Sequence, residues 1–487
     1  MRILRTLSWA LLVLGCSNSP ATSPPDMAML PPPPPPALLQ ACTDAIADVY
    51  TLPAGLPAYD STHRGDVIRC AYDKYLSAAE INKQMSAYGY TGATLPSGAW
   101  LFRIAYRTER IAAAGGTAVP EGTSSGILLV PDHPRAGGPL VVFAHASVGI
   151  APPCAPSQLD LVAAVAGDDH RGAVLGLAGY GWLLMVPDYA GFGYGDAPGW
   201  SLAEDEAHGV LDSTRAAKQL VPALPSQVVF VGHSQGGHAA LSAQSYAKSY
   251  GMQGELIGVA AYAPLWLSAY AWAGIIDPLA MFKTSDSGYA IMYTLDYFYS
   301  HGEVYDGPGG GLAMIQPAKR DAVRSFLMGQ CSPNPPPGVD ISTLGAAPSD
   351  FFEPSFISSI GGCGTGFGSC DDATAMTWTA RFVADRPHID PSGPPVLIFD
   401  GGKDSNFPPA RAQCMFDKIA ADLALTPSPT TTIRTCFDAD AQHFDIMRRD
   451  VDYANQWIAA RAGIGPEPMA CAPFPTGLTC QTPPPNL

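Results

Sequence analysis

Charge is scarce in this chain. Only 14% of its 487 residues are Asp, Glu, Lys or Arg, against 47% hydrophobic ones. That balance excludes a self-repelling disordered chain and implies a large buried core. Basic residues are scarcer still, 27 against 43 acidic ones, for a formal charge of −16. Nucleic acid is thereby excluded as a partner, because such a surface repels phosphates instead of releasing their counterions. No C-x-x-C or H-E-x-x-H spacing occurs, which removes the commonest zinc patterns. No internal repeat is present. Gly191-Phe-Gly-Tyr-Gly195 does not make a dinucleotide fingerprint, since the third glycine is misplaced, Pro187-Asp188-Tyr189 intervenes and no helix opens on the last glycine. Gly309-Gly310-Gly311 reads as a flexible hinge, not a phosphate loop.

What is present begins with a processing segment. Arg2 and Arg5 form a short basic region, and the apolar run Leu7 to Leu14 is too short to span a bilayer. Val13-Leu14-Gly15-Cys16 resembles the lipobox of bacterial lipoproteins, where the cysteine becomes the lipid-modified first residue. Residues 1–15 are then a signal peptide, Cys16 is the lipidation site, and the product is an exported cell-envelope lipoprotein or a secreted protein. Acyl chains contribute about 0.8 kcal/mol per buried methylene to membrane contact. Residues 16–40, with six consecutive prolines at Pro31 to Pro36, form a stiff spacer that would hold the body off the lipid surface. The other ten cysteines are an even number in an exported chain, hence disulfides. Neighbouring pairs are expected: Cys363 with Cys370, Cys414 with Cys436, and Cys471 with Cys480.

Residues 41–487 are expected to form one α/β domain. Short apolar runs alternate with helical patterns, as in a mainly parallel sheet covered by helices on both faces. Parallel strands are predicted at Leu140 to Ala144, Trp182 to Val186, Gln227 to Val231, Ile257 to Tyr262, Val396 to Phe399 and Thr431 to Phe437. Leu101 to Arg107 and Ser124 to Val130 form an antiparallel opening pair around a turn at Gly115-Gly116. Helices are predicted over Leu202 to Leu220, opened by Glu204-Asp205-Glu206, from Gln235 onward, and from about Met447 to Ala462. Residues 265–394, between the fourth and fifth parallel strands, are too long for a loop. Their many aromatics suit a cap with an apolar inner surface, although most of them serve the insertion's own core. The Pro- and Cys-rich tail, about 465–487, is expected to wrap the surface as a stapled segment.

The strongest chemical signal is Gln227-Val-Val-Phe-Val-Gly-His-Ser-Gln-Gly-Gly-His-Ala-Ala-Leu241. Here a strand runs into Gly232-His233-Ser234-Gln235-Gly236 and then a helix, the pattern of a nucleophile elbow. Glycines flank Ser234 at two places on either side because a Cβ there would strike the neighbouring strand or helix. A serine hydroxyl needs a base, and the base needs an acid to fix its tautomer. In this arrangement the partners follow in the order serine, acid, histidine. Asp404 stands in a loop after the strand Val396 to Phe399, and His443 is the only histidine beyond it. Asp400 competes as the acid, while Asp445 reads as a solvated or helix-start residue. Backbone N–H groups of Gln235 and of Ser147 (or Ala146), in the loop after Leu140 to Ala144, would hold an oxyanion. His63, His133, His170, His208, His301 and His388 lie in no motif, and His233 and His238 are expected to pack or bond locally.

These stretches resemble the secretory lipases, the α/β-hydrolase family that includes fungal lipase A and many exported actinobacterial lipases. The likeness is carried by Phe102 to Thr108, Ser125 to Pro131, His145 to Ser157, Val186 to Gly193, the elbow, and the loops of Asp404 and His443. It implies an α/β-hydrolase fold with a helical cap between the fourth and fifth parallel strands, hydrolysis of acylglycerols and other carboxylic esters, and no cofactor. The triad itself implies an acyl-enzyme intermediate, and a monomer is expected. The chain departs from the family in Ala146, where relatives often have Gly, and in its lipoprotein leader. A peptidase on the same fold and an inactive surface-binding module are the alternatives, and the intact Ser234, Asp404 and His443 argue against the second.

Overall fold

Nine strands form the frame. In the computed structural model, residues 32–112, 120–163, 170–195, 197–267, 269–276, 287–329, 331, 344–345, 347–365 and 370–480 are described. The leader with Cys16, most of the spacer, the Gly115-Gly116 turn and residues 481–487 lie outside them. The strands are β1 (Val67–Leu76), β2 (Ala99–Glu109), β3 (Glu121–Pro131), β4 (Leu140–Ala144), β5 (Leu183–Ala190), β6 (Gln227–His233), β7 (Glu255–Tyr262), β8 (Val396–Gly401) and β9 (Ile433–Asp438). They pair in the order β1-β2-β3-β5-β4-β6-β7-β8-β9. The first three are antiparallel, β3 meets β5 antiparallel, and the rest are parallel.

All eight predicted strands are present, with ends moved by a few residues. The ninth, β1, was not anticipated. It is an edge strand carrying Arg69, Asp73 and Lys74, mostly half-buried, so it lacks the apolar run that marks a strand buried on both faces. Its charges are paired outward, Arg69 with Asp44, Asp73 with Arg103 and Lys74 with Asp160.

Helices cover both faces. α1 (Ala78–Tyr88), α2 (His170–Gly179) and α11 (Ile446–Arg461) lie on one side, and α3 (Ala203–Leu220), α4 (Gln235–Tyr250) and α10 (Pro409–Ala424) on the other. Alternate residues of β4 show the division: Leu140, Val142 and Ala144 join the core beneath α3, α4 and α10, whereas Val141 and Phe143 join that beneath α1, α2 and α11. Side chains on successive strand residues point to opposite faces, so β4 is apolar throughout and wholly buried.

Between β7 and β8 the chain builds α5 (Ala269–Ile275), α6 (Ser287–Asp306), α7 (Arg320–Gly329), α8 (Pro354–Thr365) and α9 (Ala373–Ala384). The insertion has its own core, in which Phe298 meets Phe352, Phe356, Trp378 and Phe382. Ile150 and Trp200, from the loops after β4 and β5, belong to that core and seat the insertion on the sheet body. Gly309 to Gly311, expected as a flexible hinge, forms a bonded turn. Gly309 and Gly311 donate their N–H groups to Glu303 at 2.9 and 3.1 Å, and a Cβ on Gly310 would lie 2.2 Å from the carbonyl oxygen of Gly302, so this turn is packed against α6.

Five disulfides join Cys42–Cys70, Cys154–Cys331, Cys363–Cys370, Cys414–Cys480 and Cys436–Cys471. Only Cys363–Cys370 among the three expected pairs is formed. Cys414 sits in the core on one face of the sheet and Cys436 in the core on the other, so the sheet separates them beyond the reach of a disulfide. Each is bridged instead to the C-terminal tail. That tail runs along β9, where Ala472 O accepts from Phe437 N at 2.8 Å and Phe474 N donates to Thr435 Oγ1 at 3.1 Å. Peptide mapping without reduction should recover Cys414–Cys480 and Cys436–Cys471, and a Cys414–Cys436 peptide would contradict the two-faced arrangement. Cys480→Ser should lower stability by about 2–4 kcal/mol, the usual contribution of one bridge, in thermal unfolding.

Candidate active site

The carboxyl ends of β6, β8 and β9 converge on three side chains. Ser234 follows β6 directly and opens α4 with φ 54° and ψ −118°, a backbone state that side chains other than glycine avoid at a cost of about 1–3 kcal/mol. The turn is over-determined by its bonds. Ser234 N donates to Tyr262 O at 2.9 Å, and its carbonyl accepts from His238 N at 3.0 Å and Leu265 N at 2.8 Å. A Cβ on Gly232 would lie 2.0 Å from Gly236 O, and one on Gly236 would lie 1.9 Å from Ala144 O. The expectation from sequence was therefore correct for both glycines: the first clears the helix, the second clears β4.

His443 lies between β9 and α11 and faces Ser234. Its Nε2 is 3.0 Å from Ser234 Oγ, and its Nδ1 is 2.8 Å from Asp404 Oδ2. Asp404 Oδ1 accepts from Asn406 N at 2.8 Å and Phe407 N at 2.7 Å. Burial would raise the Asp404 pKa. The adjoining His443, its hydrogen bond and the two backbone N–H groups outweigh burial and hold it below the usual carboxylate value. An ionised Asp404 requires the proton on His443 Nδ1, which leaves the Nε2 lone pair for the Ser234 hydroxyl. Ser234, His443 and Asp404 are 8%, 3% and 4% exposed, so water and substrate have little access in this conformation.

Asp400, the competing acid, is on β8 itself and makes no contact with His443. Its Oδ2 is buried without a hydrogen-bond partner. Burial first, and repulsion from Asp404 second, push its pKa up to about 8. Asp445 stands at the start of α11, but its side chain accepts from Gln442 N at 2.7 Å and caps no N–H of the helix.

The loop after β4 is brought beside the elbow, since Ala144 is in register with Gly232. It is pinned by Tyr189 OH, which donates to His145 O at 2.9 Å, and by His145 Nδ1, which donates to Ala146 O at 2.6 Å. Ser147 Oγ accepts from Trp200 Nε1 at 3.1 Å, and the Trp200 ring stacks on Tyr293 of α6. Gln235, as the first residue of α4, presents one of the N–H groups that a helix leaves without an internal partner.

Known structures share this frame. Candida antarctica lipase A in its closed state superposes with a TM-score of 0.59 at 16% identity, over 90% of each chain. The rice cell wall degrading esterase LipA of Xanthomonas oryzae gives 0.55 at 18%, over 84% of this chain and 98% of that one. A protein from Legionella pneumophila gives 0.60 at 16%, over 81% and 98%. The chain has the α/β-hydrolase fold. Within that fold, residues 161–266 match the secretory lipase family model, in line with the resemblance read from the sequence; the match includes Ser234 but stops before Asp404 and His443. No curated protein matches the chain in sequence.

Sequence reasoning missed what holds this site from behind. His233, expected to bond locally, donates Nε2–H to the carbonyl of His443 at 2.7 Å, and burial pushes its pKa down to about 3. His238 reaches Glu206 and Asp385, both far away in sequence. Glu206 and Asp205 are not merely acids at a helix start. Asp205 is a buried bidentate partner of Arg110, and Glu206 is fully buried. No local pattern marked Glu206 out, because most of α3 is buried and its faces are not divided into apolar and polar sides. Among the described residues no group of three potential metal ligands occurs, and no helix is long and apolar enough to cross a membrane.

The pH dependence of stability separates the two carboxyls. Unfolded, Asp400 ionises near about pH 4; folded, it holds its proton to about pH 8. Its contribution is therefore greatest below about pH 4 and is lost as pH rises through about 8. Asp400→Asn should flatten the fall in Tm between pH 5 and pH 8. An unchanged slope would mean that Asp400 is ionised in the folded protein.

Proposed function

We propose that the chain is a serine hydrolase of carboxylic esters, a lipase or esterase, with Ser234 as nucleophile, His443 as general base and Asp404 as the acid that orients it. The observation that carries this is the unbroken relay of 3.0 Å from Ser234 Oγ to His443 Nε2 and 2.8 Å from His443 Nδ1 to Asp404. His443 removes the hydroxyl proton as Oγ attacks the ester carbonyl. The tetrahedral oxyanion is held by the N–H groups of Gln235 and of Ser147 (or Ala146). Its collapse breaks the ester C–O bond, His443 returns the proton to the departing alcohol, and an acyl-enzyme remains. Water, deprotonated by His443, then releases the carboxylic acid and restores Ser234.

Substrate class is supported by the surroundings. Trp200, Leu265 and Leu267 belong to the insertion core and Phe407 packs against it while meeting the His443 ring edge-on, an apolar surround that suits an acyl chain. The secretory lipase match over residues 161–266 and the lipase and esterase among the similar folds point to the same ester chemistry. With the triad almost fully covered, the helical insertion acts as a cap that must move for substrate to enter. Export is supported by the five disulfides, with Cys16 as the lipid anchor to the membrane surface and the body acting as a monomer.

Hydrolysis of p-nitrophenyl esters from short to long acyl chains tests the reading. Ser234→Ala should lower kcat by roughly 10⁶-fold and Asp404→Asn by about 10⁴-fold through the wrong tautomer of His443. Unchanged ester hydrolysis by Ser234→Ala would overturn it.

A further inference from the structure

A buried carboxylate lies beside the elbow, bonded to the side chain of Gln235. Glu206 of α3 is 0% exposed, yet it is fully bonded. Its Oε1 accepts from Gln235 Nε2 at 2.7 Å and from Ser201 N at 2.8 Å, and its Oε2 lies 2.7 Å from His238 Nδ1. Gln235 and His238, both of α4, are each only 2% exposed. His238 Nε2 donates to the backbone carbonyl of Asp385 at 2.6 Å. The Asp385 carboxylate meets His301 Nε2 at 2.5 Å and Tyr297 OH at 3.1 Å, both on α6 of the insertion. One continuous polar chain thus runs from the residue after the nucleophile to the insertion.

Burying an anion is costly unless it is paired and hydrogen-bonded. Hydrophobic residues would fill the same space at less risk. The arrangement therefore calls for a function, and its geometry supplies one. Gln235 is tethered by its side chain, so the direction of its backbone N–H is fixed from behind. A carboxylate so near a developing oxyanion would oppose it unless neutralised, and His238 is the neutralising partner: burial lowers its pKa, but the charge and hydrogen bond of Glu206 more than reverse this.

We propose that Glu206 is a positioning residue for the oxyanion hole, holding the Gln235 N–H in line through the Gln235 side chain and locking that end of α4 through His238. The inference rests on the serine-hydrolase reading and deepens it. Glu206 touches no reacting atom, so its removal leaves Ser234, His443 and Asp404 in place and misaligns only the donor. Misalignment costs less than the 10²–10³ lost when a donor is deleted outright, about 10- to 100-fold in kcat.

The test uses the full chain and a soluble p-nitrophenyl ester. Glu206→Ala should lower kcat about 10- to 100-fold with KM nearly unchanged, and should weaken a trifluoromethyl ketone, which mimics the tetrahedral adduct, by a similar factor. Glu206→Gln should restore most of both, because its amide can still accept from Ser201 and Gln235 and can donate to His238 Nδ1. Gln235→Ala keeps the backbone N–H but loses the tether, and should reproduce the Glu206→Ala signature; it decides the matter if Glu206→Ala does not fold. Wild-type kcat and ketone affinity in Glu206→Ala, or in Gln235→Ala where the former fails to fold, with only Tm lowered, would overturn the inference alone. Absence of Ser234-dependent hydrolysis in the wild type would overturn the serine-hydrolase reading and this inference with it.

Discussion

A serine held at a left-handed φ between a strand and a helix is the constraint from which the rest of this molecule follows. The turn is tolerable only where backbone passes within van der Waals reach on both sides, which is why Gly232 and Gly236 cannot carry a Cβ. It also requires that β4, β6 and β7 be in register beneath it, so that Ala144 lies opposite Gly232 and Tyr262 opposite His233. The central strands are apolar on both faces because helices must cover both. Strain at the site is thus maintained by burial across the whole sheet.

The two carboxylates near the site show how environment assigns roles. Asp404 and Asp400 are four residues apart and equally buried. One has two backbone N–H groups and a histidine, and is held ionised; the other has a partnerless oxygen and a neighbouring anion, and keeps its proton to about pH 8. Such divergence between adjacent acids is the physical basis for telling the carboxylate that pairs with His443 from a core carboxyl.

The insertion is tied to the sheet body by contacts of three kinds. Trp200 bridges Ser147 and Tyr293, Cys154 is bonded to Cys331, and Asp385 stands between His238 and the His301–Tyr297 pair. Each reaches a loop or helix that borders Ser234. Seating of the insertion and geometry at the site are therefore linked by contiguous bonds and not by proximity alone.

Most of the architecture was legible in the sequence, because apolar runs, flanking glycines and the order of Ser234, Asp404 and His443 are local patterns. Eight strands, α3, α4, α11 and the long interruption between β7 and β8 could be drawn from them. The edge strand β1 could not, since a half-buried strand studded with charges carries no such run. Nor could the pairing of Cys414 and Cys436, which are near in sequence but divided by the sheet, or the partners of Glu206 and His238, which come from α3, α4 and the end of the insertion. Local pattern and chain order determined the fold class and the candidate triad. Long-range pairing was decided only when the tertiary structure set which face each residue occupies, because a disulfide or a buried hydrogen bond depends on distance in space, and distance along the chain does not report it.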